Sequence, residues 1–247
     1  MTKLALGAAV YFDHELAANA RPLATLWRHI ATQPNLRSWS LTAKSATKPV
    51  DFDAAQLASR IESGKTTTVG VESVNRDVTI IAQTGPAEGL DRRPPAPRWQ
   101  YDLAVALSAE HVAALGQDAV IAALCEFAGA VSASAGVVVW SGSLDFARAL
   151  ALLSSGPDLP PPHVTALVDA QLTRSHWGDI IRGPEWGTFL SAAHVAALAD
   201  VRLPVAKKIP LSSGGAFIQV SPEPFDVEAP PPALAVLRDA LAPVMPQ

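Results

Sequence analysis

Apolar residues in this chain follow helical and strand-like rhythms in turn, without the regular strand-helix-strand order of a doubly wound sheet. Residues 4–12 form an apolar run of nine that closes on Tyr11 and Phe12 before Asp13, His14 and Glu15, which reads as a buried first strand. Behind Lys3 the run imitates the middle of a signal peptide, but no small-residue cleavage site follows it. Leu16, Ala20, Leu23, Trp27 and Ile30 recur at intervals of four and three, so they line one stripe of a helix begun by Glu15 or Asn19, with Pro22 tolerated in its first turn. A second helix is predicted over 52–63, with Leu57 and Ile61 inward and Gly64 as its stop. Strands are predicted at 66–72 and 78–83, split by the polar turn SVNRD.

Residues 85–98 (GPAEGLDRRPPAPR) break this rhythm, because proline cannot join a central ladder. They mark a candidate boundary between two lobes of what otherwise reads as a single domain over 1–247. Beyond them, 100–107 alternates like a strand, 118–131 places Val120, Ile121, Leu124, Phe127 and Val131 on one helical face, and 136–140 is a continuous apolar strand. Ser143 is predicted to cap a helix running to 153. Triple prolines at 160–162 and 230–232 each precede or open a helical segment, the last a helix over 233–241. The sequence LSAEHVAAL at 107–115 returns as LSAAHVAAL at 190–198, too short for a repeat architecture. Both copies read as a short helix N-capped by Ser108 or Ser191, with Val and Leu turned inward. Together these elements predict an α+β fold, an antiparallel or mixed sheet with helices packed on one face.

Composition narrows the class. Of 247 residues 49% are apolar and 17% charged, which suits a globular core and excludes disorder as the main state. The lone Cys125 lies in an apolar run, so there is no disulfide framework or CxxC pair, and a reducing compartment fits best. No stretch of eighteen apolar residues exists to span a membrane. The net charge of −4 is unevenly spread: residues 99–203 carry ten acidic side chains against four arginines, a local balance of −6, leaving +2 for the remainder. That acidic third is a solvated surface or a face for a basic partner, and it argues against direct nucleic-acid binding.

Catalytic motifs fail on inspection. ESGKTTT at 62–68 resembles a phosphate loop, but Ser59 stands where the first glycine is required, and a helix precedes it where a strand should. VVVWSGSLDF at 137–146 resembles a nucleophile elbow around Ser143, but Asp145 occupies the second glycine position, which favours Ser143 as a helix cap. The six histidines form no HxH, HxxxH or HExxH pattern; His163 and His176 with Asp169 and Asp179 are the one local cluster, better read as surface or capping groups than as a metal site. No cofactor or metal is expected. Trp177, Trp186 and Phe189 fall in a Gly/Pro-rich segment beside Arg182 and Glu185. Trp186 and Phe189 are expected as core anchors, and Trp177, Asp179 and Glu185, with Asp169 of the same acidic third, as partner contacts.

Arg182-Gly183-Pro184-Glu185-Trp186-Gly187, continuing to His194, and Gly214-Gly215 leading to Ser221 resemble the Gly/Trp segment and final strand of a family of bacterial immunity proteins. This is the type VI secretion and polymorphic-toxin group that includes immunity protein 52. The resemblance is best over 179–221 and is lost at the extra proline segments. It implies a cytoplasmic, non-enzymatic antitoxin that binds and blocks a cognate toxin, for this group a nuclease of restriction-endonuclease fold. The rival readings are a hydrolase using Ser143 or a His/Asp pair, and an effector adaptor or secretion chaperone.

Overall fold

A computed structural model of the chain describes residues 4–42, 45–83, 101–145, 147 and 184–245. Their strands are β1 (Ala5–Phe12), β2 (Leu36–Thr42), β3 (Val50–Asp51), β4 (Thr66–Ser73), β5 (Val78–Gln83), β6 (Tyr101–Leu107), β7 (Ala135–Ser141), β8 (Gly187–Leu190), β9 (Lys207–Pro210) and β10 (Ala216–Gln219). They form one antiparallel sheet in the order β3-β2-β4-β5-β6-β1-β7-β8-β10-β9. The helices are α1 (Ala20–Ile30), α2 (Ala54–Glu62), α3 (Ala109–Leu115), α4 (Gln117–Ala130), α5 (Ala192–Ala197) and α6 (Pro232–Ala240). The fold is α+β, as the interleaved periodicities predict.

Central position explains the apolar run at the start of the chain. β1 lies between β6 and β7 and all eight of its residues are buried. Its Leu6, Ala8, Val10 and Phe12 join Val105, Val138 and the inward residues of α1 to α4 in the main core, where Phe12 meets Phe127 edge to face at 5.8 Å. On the other face Leu190, Ile218 and Val220 pack with Leu234 and Leu237 of α6 and with Leu241 just past its end. Helices therefore cover both faces of the sheet, not one. Alternation along β8 and β10 dictates this, since Phe189 and Phe217 enter the main core while their neighbours Leu190 and Ile218 must point away.

Helix boundaries follow local chemistry. Asp53 caps α2 by accepting from the Gln56 N–H at 2.9 Å, and Gly64 ends that segment with φ +72°. α1 begins directly after Asn19, one of the two expected starts, but without a side-chain cap. A 3-10 turn at Leu16–Asn19 precedes it, and the Asn19 side chain donates to the carbonyls of His14 and Glu15, at 3.1 Å each, instead of capping the helix. The predicted stripe of α4 is buried, and so are Ala123, Cys125, Ala128 and Gly129 beside it, with the turn at Ser212 lying directly over Gly129.

β2, β3 and β9 escape a periodicity reading. In β2 the inward positions include Ser38 and Ser40, while Trp39 and Leu41 face the opposite side, so polar and apolar residues sit against the expected pattern. Ser40 is stabilised there by Thr47, whose hydroxyl accepts from the Ser40 N–H at 2.8 Å. β3 and β9 are the sheet edges, and neither invites another strand. β3 has two residues, one of them charged. In β9 the Leu211 N–H bonds to the Gly215 carbonyl at 2.9 Å, so alternate residues face β10 and Pro210 falls on the outer side, where it offers no N–H. Residues 85–98 lie outside the described residues; the strands flanking them, β5 and β6, pair directly, with Gln83 opposite Asp102.

Candidate functional site

The two segments singled out by the sequence fold side by side. β8 pairs with β10 so that Phe189 stands opposite Phe217, their ring centroids 4.8 Å apart. Trp186, immediately before β8, is 1% exposed. Its indole lies edge-on to Trp140 at 5.4 Å and 6.4 Å from Phe217, and its N–H donates to the Glu223 carbonyl at 3.1 Å. It is a core anchor, as expected. The segment that receives this bond is itself tied down: the Val227 N–H donates to the Trp140 carbonyl at 2.8 Å, and Asp226 Oδ2 accepts from the Gly142 N–H at 2.9 Å.

Gly187 is required for its lack of a side chain, not for its backbone freedom. It is extended backbone in β8, and a Cβ there would come within 2.5 Å of the Phe217 ring and 3.2 Å of Val138. The empty space lets Phe217 lie across the sheet. Gly214 does need its freedom, with φ +84° in the turn whose N–H returns to the Leu211 carbonyl at 3.0 Å. At Gly215 a side chain would strike the Leu190 carbonyl, so the close approach of the chains calls for glycine there.

Of the expected partner contacts, Glu185 is half-buried, and its N–H donates to the Thr188 hydroxyl at 3.2 Å. Asp169, Trp177 and Asp179, with Arg182 and Gly183 of the motif, lie outside the described residues, as do His163 and His176. The structure thus assembles Trp186, Gly187, Gly214 and Gly215 into one structural unit. In the acidic third, Asp118 lies 4.0 Å from Lys207 of β9, and both side chains are too exposed for the pair to contribute more than about 1 kcal/mol.

The discarded catalytic motifs have structural roles. Residues 62–68 run from the end of α2 into β4, the reverse of a phosphate loop. The Ser143 carbonyl accepts from the Ala147 N–H at 3.0 Å, placing Ser143 at the head of a helical turn. Beside it, both oxygens of Asp226 accept backbone N–H groups, those of Gly142 at 2.9 Å and Glu228 at 3.1 Å. Among the described residues no three His, Cys, Asp or Glu side chains are placed to hold a metal ion, and no single helix is long and apolar enough to cross a membrane.

The echoed LSAxHVAAL segments hold functional groups that the sequence reading passed over. Ser108 and Ser191 do cap α3 and α5, each accepting at 3.2 Å from the N–H of the histidine three residues on. Val112 and Leu198 turn inward as read, while Val195 stays half-buried, and the histidine is buried in both copies, His111 3% and His194 1% exposed. His111 Nε2 meets the Ile30 carbonyl at 2.7 Å, and Nδ1 meets the Gln33 amide at 3.0 Å. Since a carbonyl can only accept, Nε2 carries the proton, and α3 thereby satisfies an orphan carbonyl at the end of α1. His194 Nδ1 instead accepts from the Ser191 N–H at 3.2 Å, closing a reciprocal capping box. The S-x-x-H spacing was the available signal.

Cys125 is buried in α4, and burial pushes its thiol up to about 12 against an opposing pull from Lys207. Thiolate is the reactive form, so the folded protein is expected to resist dithionitrobenzoate at pH 8, whereas the denatured chain releases one equivalent of thionitrobenzoate. Rapid reaction of the native protein would show that the helix opens or the thiol is accessible.

No family model and no curated protein matches the sequence. Among solved structures the chain is similar to the Pseudomonas aeruginosa T6SS protein PA0821, with a TM-score of 0.65 over 98% of this chain and 73% of that one. Sequence identity is 14%, so what the two proteins share is the fold.

Proposed function

We propose that this protein is an immunity protein: it binds a cognate secreted toxin and neutralises it by occluding the active site, with no catalysis of its own. The observation that carries this reading is a likeness of fold to a T6SS protein that extends over 98% of the chain. The resemblance of 182–194 and 214–221 to an immunity family supports the finer assignment, and it points to a nuclease toxin acting in the cytoplasm. Roles in structure for Ser143, Gly64 and the two capped histidines agree with a binder. The test is co-expression with the toxin encoded beside it. Growth should be restored, and the two proteins should copurify while the toxin's activity is lost. Persistent toxicity from a complex that nonetheless forms would assign the protein as an adaptor or chaperone instead.

The acidic balance of residues 99–203 suits a basic nuclease cleft, because complementary charge steers encounter. Association is therefore expected to slow as salt rises. Replacing Asp169, Asp179 and Glu185 together by Lys should lower the association rate more than it raises dissociation. Stopped-flow mixing over about a tenfold range of ionic strength decides the point, since steering between exposed charges is screened over that range. A flat association rate would remove charge from the mechanism and leave the immunity assignment standing on the growth assay alone.

A further inference from the structure

We draw no further inference here: the strongest candidate, the partly exposed face of β2, β4 and β5, sets Trp39, Leu41 and Ile81 among Arg37, Glu72 and Gln83, and nothing in the structure shows what covers it.

Discussion

Trp186→Ala should unfold a substantial fraction of the protein. The side chain is 1% exposed, lies between Trp140 and Phe217, and carries a hydrogen bond to Glu223. Truncating a buried Trp removes its transfer energy and leaves a cavity, together about 3–5 kcal/mol, which is a large part of the stability of an ordinary domain. For a chain of this length that corresponds to a fall in Tm on the order of 10 °C. Trp186→Phe keeps much of the volume and leaves the Glu223 carbonyl without its donor, so a smaller loss of about 1–3 kcal/mol is expected. Denaturant titration of both variants checks the order. A Trp186→Ala melt that overlays the wild type, accompanied by lost toxin affinity, would make Trp186 an interface residue and reverse its role.

Gly187→Val should be comparably damaging, for the opposite reason of too much volume. A Cβ at this position lies 2.5 Å from Phe217 Cζ, and that ring is fully buried against Phe189. Neither ring can swing into solvent, so β8 and β10 must move apart at a cost of about 3 kcal/mol, the upper end for overpacking. The cause is steric, and so it is reversible in a specific way. Adding Phe217→Leu should recover part of the loss, a non-additivity that calorimetry of the four-member cycle measures. If Gly187→Val melts with the wild type, or if Phe217→Leu only adds to the damage, the proposed clash is absent. Gly214→Ala provides a contrast, because its Cβ would have room, 3.5 Å from Ala192, and the expected cost of about 1 kcal/mol comes from the positive φ alone.

Much of the fold was legible before any coordinates. The run at residues 4–12 had to be a buried strand because its apolar residues are continuous, and β1 is indeed enclosed on both faces. The stripe from Leu16 to Ile30, the stop at Gly64 and the serine caps at Ser108 and Ser191 also stand as read, since each depends on interactions within a few residues. β2 was missed because serines take its inward positions, and one of them, Ser40, finds Thr47 rather than an apolar neighbour. The edge strands were missed because they are short or charged, which is what prevents further pairing.

Local sequence thus determined where most elements begin and end and which of their faces are apolar. It could not determine that β1, the first strand, stands between the sixth and seventh, nor that β8 joins β10 before β9. Strand order rests on contacts between residues tens of positions apart, such as Phe189 with Phe217, or more than a hundred, such as Gly7 with Val139, and no spacing within a window reports them. The same holds for single residues. Gly187 is glycine because of a phenylalanine thirty residues later, and His111 points inward because a carbonyl at the end of α1 lacks a donor. Those requirements come into being only when distant segments are packed together, so the tertiary structure alone could decide them.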